Sequence, residues 1–182
     1  MQEEIVFAGF GGQGVLFGGQ LLAYTALAEG KYVTWIPSYG PEMRGGTANC
    51  TVIVSDEAIG SPVTKYPSVG IVFNNPSLDK YEELIKPGGL LIVNQSMVVR
   101  NPVRTDIEAL VFPATALATE LGDTKMTNSV LFGALLARRP IVSLEMAQQV
   151  LIEKLGQRKA HLHAINIAAL ERGYEIGMSV QA

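Results

Sequence analysis

The sequence predicts a single α/β domain, a sandwich with a mostly parallel sheet and a helical C-terminal third. Three observations carry that prediction. Apolar runs of strand length alternate with helical stretches through the first two thirds of the chain. A glycine-rich turn, GFGGQG, spaces Gly9, Gly11 and Gly14 as G-x-G-x-x-G between the first strand and the first helix. The last third carries Leu131, Leu135 and Leu136, then Val150, Leu151 and Leu155, at helical spacings that suit helices closing over a sheet. A length of 182 residues supports one domain, 1–182.

The elements follow in order. Residues 4–8 read as the first strand. The turn then opens a helix over 13–29, whose N-terminus offers free N–H groups and a positive dipole end to an anion. Strands are predicted at 32–36, 51–55 and 70–74. Asn75-Pro76-Ser77 starts a helix over 77–85, and Lys86-Pro87-Gly88-Gly89 stops it before the strand at 90–94. A sixth strand covers 109–113. Helices are predicted over 114–121, 127–137, 144–155 and 159–172. Ser143 is the N-cap of the 144–155 helix and Gly156 ends it; Gly173 is expected to end the last one.

Composition excludes several functions. Net charge is −3 and no Lys/Arg run stands out, which argues against nucleic-acid binding. The single Cys50 rules out an internal disulfide, a cysteine-ligated iron–sulfur cluster and a Cys-rich zinc site. Cys50 is expected at a strand start as a buried small hydrophobe. His161 and His163, two apart on a helix, face different sides and make no metal pair. No metal site and no catalytic triad are expected. No apolar run approaches ~18 residues, so no membrane span is predicted. The acidic Glu3 and Glu4 do not suit a signal peptide, and a cytoplasmic location is expected. Hydrophobic residues make up 48% and charged ones 17%. Either part of the surface is buried against partners or the sheet is covered on both faces.

The turn and one loop are the candidate site. Gly9, Gly11, Gly12, Gln13 and Gly14 form a phosphate-compatible turn, with bare N–H groups expected at Gly11, Gly12 and Gln13. The segment 35–50, WIPSYGPEMRGGTANC, follows the second strand and should lie beside the turn at the carboxyl ends of the strands. Arg44 is its only fixed positive charge, suited to a carboxylate or phosphate. Arg44 pairing with Glu42, or with a helix of a neighbouring subunit, is the alternative. Trp35 and Tyr39 read as packing or interface residues; Pro41, Glu42, Gly45 and Gly46 complete the loop. A dinucleotide fingerprint wants an acid at the end of the second strand, and Trp35-Ile36-Pro37-Ser38 supplies none.

Three motifs together carry a resemblance over nearly the whole chain: GFGGQGV at 9–15, SYGPEMRGGTANC at 38–50, and N-x-x-x-x-G-A from Asn128 to Ala134. In that order they resemble the gamma subunit of 2-oxoacid:ferredoxin oxidoreductases. PEMRGG after SYG is closer to the 2-oxoglutarate and branched-chain types than to the pyruvate type, and 2-oxoglutarate is favoured. The resemblance implies a Rossmann-like three-layer α/β/α domain in a complex that converts a 2-oxoacid and coenzyme A to acyl-CoA and carbon dioxide while reducing ferredoxin. It implies alpha, beta and, where present, delta partner subunits. Thiamine diphosphate with magnesium, and iron–sulfur clusters, would reside outside this chain. The thiamine motif is indeed absent, Gly122-Asp123-Thr124 being only a fragment of it. This chain is then expected to be inactive alone and to help bind coenzyme A, with Asn128 donating a side-chain amide beside the turn and Arg44. The alternatives are a purely structural assembly subunit and an unrelated nucleotide binder. Isolated, the chain is expected to self-associate, most simply as a dimer.

Overall fold

The computed structural model describes residues 1–39 and 46–179. Its elements are β1 (Gln2–Phe10), α1 (Val15–Ala28), β2 (Tyr32–Tyr39), β3 (Thr47–Ser55), β4 (Val69–Val72), α2 (Asn75–Tyr81), β5 (Leu90–Asn94), β6 (Glu108–Phe112), α3 (Ala114–Glu120), α4 (Thr127–Arg138), α5 (Leu144–Leu155) and α6 (His163–Ser179). The predicted strands and helices are all present. The sheet order is β2-β3-β1-β4-β5-β6.

β1, β4, β5 and β6 pair in parallel. β3 runs antiparallel to both β1 and β2, so five strands share one direction and β3 alone opposes them. The sequence reading left that hairpin out. Residues 40–46 are too few for the crossover that a parallel neighbour needs, so the chain turns back on itself.

Strand alternation sorts the core into two layers. Ile5, Phe7, Val52, Ile71, Leu90, Ile92 and Leu110 face the larger cluster, under α1, α3, α4, α5 and α6. Val6, Ala8, Val72, Leu91 and Val93 face a smaller one, closed by Leu78 and Tyr81 of α2 with Ile85 and Ile107. The three layers are therefore unequal. α4 is buried from Thr127 to Leu136 because it touches β5 and α1 on one side and α6 on the other.

Local chemistry explains the boundaries. Asn74 caps α2, its Oδ1 accepting the Ser77 N–H at 3.0 Å. Ser143 caps α5 through the Met146 N–H at 3.2 Å, and Gly156 ends that helix at φ +64°. The 77–85 helix is shorter than expected, since Glu82–Leu84 tightens into a 3-10 turn.

Three expectations are corrected. Gly173 does not end α6; it lies inside it, because a side chain there would collide with the Val130 carbonyl of α4. Gly133 meets the Leu170 carbonyl in the same way, so the two helices touch backbone to backbone. His161 and His163 do not share a helix: His161 is in the 3-10 stretch Gln157–Leu162, kinked at Lys159, and His163 begins α6. Cys50 is buried, but within β3 rather than at its start.

Candidate functional site

The carboxyl ends of the parallel strands converge on the glycine-rich turn. β1 ends at Phe10, and α1 begins five residues later. Gly9 sits so close to Phe73 Cβ and Val15 that a side chain there has no room. Gly14 takes φ +78° as the N-cap of α1, a conformation that favours glycine. Gly12, at φ +96°, faces open space.

The turn is wired differently from the sequence expectation. Gly11 donates its N–H to the Gly46 carbonyl at 2.9 Å, and Gln13 donates to the Phe10 carbonyl at 3.2 Å. Of the three N–H groups expected to be bare, only that of Gly12 is without a bond among the described residues. The free donors lie instead at Val15, Leu16 and Phe17, ahead of the first helical bond, Gly18 N–H to Gly14 carbonyl at 3.0 Å. The Gly11–Gly46 bond places the foot of the second loop against the turn, as predicted.

Side chains tie the neighbouring strand ends together. Gln13 Oε1 accepts from the Phe10 N–H at 2.7 Å and from Asn74 Nδ2 at 3.1 Å. Asn94, fully buried at the end of β5, donates to the Phe73 carbonyl and to Thr115 Oγ1 and accepts the Thr115 N–H. Thr127 Oγ1 reaches the Thr124 carbonyl at 2.7 Å and Thr115 Oγ1 at 3.3 Å. Sequence reasoning missed Asn74, Asn94, Thr115 and Thr127. The available signal was that two of the parallel strands it predicted, 70–74 and 90–94, both end in asparagine.

Asn128, expected beside the turn, is there. Its side chain is 7% exposed. Oδ1 accepts the Ser129 N–H at 2.9 Å, which orients Nδ2 toward Gly14; a Cβ on Gly14 would lie 2.7 Å from Nδ2. Beside the Gly12–Gln13 turn, and not lined by Asn128, opens a cavity of about 320 Å³. Gly12, Gln13, Thr115 and Thr127 line it, with Phe73 and Met97 as apolar wall and Lys125 at its rim. Pro41, Glu42, Arg44 and Gly45, and the side chain of Tyr39, lie outside the described residues.

Trp35 packs on α1 with Cys50 beside Gly19. Burial pushes the Cys50 thiol up to about 12, against the opposing effect of the Trp35 indole N–H beside it. A neutral, buried thiol is no nucleophile and no metal ligand. Among the described residues no His, Cys, Asp or Glu cluster has the makings of a metal site. No described helix is long and apolar enough to cross a membrane.

The fold and turn match a known group. The family model described as pyruvate ferredoxin/flavodoxin oxidoreductase matches residues 4–176. The chain belongs to this family. It is 35% identical over 188 residues to the 2-oxoglutarate synthase subunit KorC of Methanothermobacter marburgensis, covering all of both chains. It is 38% identical over 136 residues to the ketoisovalerate oxidoreductase subunit VorA of the same organism, covering 75% of this chain but 28% of that relative. The chain thus spans about a third or less of the length of the VorA relative. Among solved structures, the gamma subunit of keto/oxoacid ferredoxin oxidoreductase from Geobacter sulfurreducens superposes with a TM-score of 0.85 at 28% identity, covering 98% and 99% of the two chains.

Proposed function

We propose that this family member serves as the gamma subunit of a 2-oxoacid:ferredoxin oxidoreductase and contributes to coenzyme A binding. The complex would convert a 2-oxoacid, coenzyme A and oxidised ferredoxin to acyl-CoA, carbon dioxide and reduced ferredoxin. KorC, similar over its full length, supports 2-oxoglutarate as the 2-oxoacid; VorA supports a branched-chain one as the second reading.

The observation that carries the coenzyme A reading is the start of α1. A fourteen-residue helix starts just after Gly12 and Gln13, which line a cleft, and Asn128 Nδ2 lies against its N-cap Gly14 without an acceptor among the described residues. Arg44 is proposed as a cation from the second loop. The chain's own part in the reaction is to hold and orient the nucleotide end of the thioester acceptor. Thiamine diphosphate, which supplies decarboxylation chemistry, and the iron–sulfur clusters are assigned to partner subunits. One buried, protonated cysteine gives this chain no ligand set for a cluster.

The partners are the alpha and beta subunits, with delta where present, in the cytoplasm. Exposed Tyr24 and Leu27 on α1 flank a groove of about 240 Å³ with Val33 and Trp35, the kind of apolar surface that a partner covers. Isolated, the chain self-associates through such surface and is inactive; a clean monomer at high concentration counts against this. Arg44→Ala in the assembled complex is expected to raise KM for coenzyme A and spare 2-oxoacid decarboxylation. An assembled variant with neither parameter changed contradicts the coenzyme A role and leaves the chain an assembly subunit.

A further inference from the structure

β2 is the end strand of the sheet, paired with β3 on one side and with no strand on the other among the described residues. Bonds elsewhere in the sheet show which of its backbone groups face outward. The Phe73 N–H donates to the Ala8 carbonyl, so Ala8 turns its backbone groups to β4, and Phe7 and Gly9 turn theirs to β3. Carried across the register, Cys50 and Val52 of β3 turn to β1, Thr51 and Ile53 turn to β2, and Thr34 and Ile36 of β2 turn back to β3. The N–H and C=O groups of Val33 and Trp35 therefore point off the sheet. Pro37 agrees with this, since a proline inside a strand sets its missing N–H on the open side. No turn or loop among the described residues supplies the outward groups of Val33 and Trp35 with a bond.

Residues 32–36 lack the devices that keep such an edge from pairing. Tyr-Val-Thr-Trp-Ile is β-branched or aromatic throughout and carries no charge. Lys31, just before it, is neutralised by Asp56 at 2.9 Å. Tyr32 is 53% exposed and Ile36 39%, on one face with Thr34 between them. Val33 and Trp35 share the other face with the half-exposed Tyr24 and Leu27 of α1. Thr34 Oγ1 is buried and has no hydrogen-bond partner among the described residues. These side chains and the strand backbone offer on the order of 500 Å² per copy, so a symmetric pair covers roughly 1,000 Å², the lower bound for a specific interface.

We propose that β2 pairs antiparallel with β2 of a second copy of this chain, about a two-fold axis through Thr34, joining two six-stranded sheets into one. Val33 then faces the partner's Trp35 and the two exchange both backbone bonds, twice over by symmetry. Tyr32 lies opposite the partner's Ile36, an aromatic–β-branched pair on each side of the axis. The two Thr34 residues form a close pair without backbone bonds, their Cα atoms about 4.5 Å apart, where hydroxyl can bond hydroxyl. The neighbouring registers lose bonds. An axis through Trp35 sets Val33 against Pro37, which has no N–H to return. An axis through Val33 sets Trp35 against Lys31, whose N–H is already given to the Ala26 carbonyl. The inference rests on the self-association reading for the existence of a dimer and adds its strand, register and axis.

The test is sedimentation equilibrium of the full chain and its variants over a concentration series, with circular dichroism melts to verify folding. Wild type is expected to pass from monomer to dimer. Val33→Pro removes an N–H that faces off the sheet and spares the β2–β3 ladder; it should weaken the dimer about tenfold or more. Tyr32→Glu and Ile36→Lys each set a charge against an apolar side chain and should weaken it at least as much. Combined, they should recover most of the loss, because the register sets the new carboxylate against the new ammonium across the axis. Within one strand the two positions stand roughly 13 Å apart, too far to pair. A dimer unchanged by Val33→Pro and Ile36→Lys overturns the strand pairing and spares self-association through another surface. Weakening by both single charges without recovery in the double variant overturns the Thr34-centred register. A monomer at every concentration overturns the proposal and the self-association reading together; Val33 and Trp35 amides whose hydrogen exchange slows only in the assembled complex would then give this edge to a partner subunit.

Discussion

Gln13 shows how much a single side chain does at the turn. Its Oε1 accepts both the Phe10 N–H and the Asn74 amide, so it replaces a backbone partner at the end of β1 and ties β1 to β4. Gln13→Ala leaves both donors short of an acceptor and should cost about 1–3 kcal/mol in urea unfolding. Gly14→Ala should cost a similar amount, roughly 1–3 kcal/mol, from the positive φ and the collision with Asn128. Cys50 offers a separate check. A buried thiol raised to about 12 should resist a thiol reagent at pH 8 in the folded chain and react fully in guanidinium. At this scale the sequence disclosed the glycines and Asn128 by spacing. It did not disclose which N–H groups stay free, because Gly11 is satisfied by Gly46, thirty-five residues away, and Gln13 by a turn bond.

Among the elements, α2 and the segment after β5 are joined through Glu82. Its side chain, 3% exposed, accepts from the Arg104 and Val103 N–H groups and from the Arg100 guanidinium, while Arg104 reaches back to the Glu82 and Ile85 carbonyls. Burial pushes the Glu82 carboxyl up, but the Arg104 N–H, Arg100 and Val103 N–H together outweigh it and hold the group below its ordinary 4.5. A folded value below the unfolded one gives stability that is complete above about pH 4.5 and lost as pH falls through the folded value. Glu82→Gln should therefore lower neutral-pH stability by about 2 kcal/mol and flatten the acid limb of a stability–pH curve below 4.5. A variant whose acid limb matched wild type would contradict this. Gly173→Leu should be far worse, since α4 and α6 have no space for a side chain there; a melting point unchanged from wild type would contradict that packing. Such a glycine reads as a helix stop in sequence, because the pattern shows the break in propensity and not the neighbouring helix that demands it. The hairpin at β2–β3 was not legible, because the predicted strands 32–36 and 51–55 left a connection long enough for a crossover, whereas the observed strands, Tyr32–Tyr39 and Thr47–Ser55, do not.

The whole molecule is a sheet covered unequally on its two faces. The alternation of elements and the turn motif were enough to set the fold. The cleft was less legible, since Phe73, Thr115 and Lys125 are brought to it from separate segments that no spacing rule connects. The central claim is that this family member works as the gamma subunit of a coenzyme A-dependent 2-oxoacid:ferredoxin oxidoreductase. Its most direct test is gentle affinity purification of the tagged chain from its native cells, followed by assay of the eluate for ferredoxin reduction on a panel of 2-oxoacids. The account predicts co-purifying subunits with thiamine diphosphate and iron–sulfur clusters, and coenzyme A-dependent reduction with 2-oxoglutarate preferred. A chain recovered alone from cells that express the complex, or an eluate without 2-oxoacid activity, would contradict it.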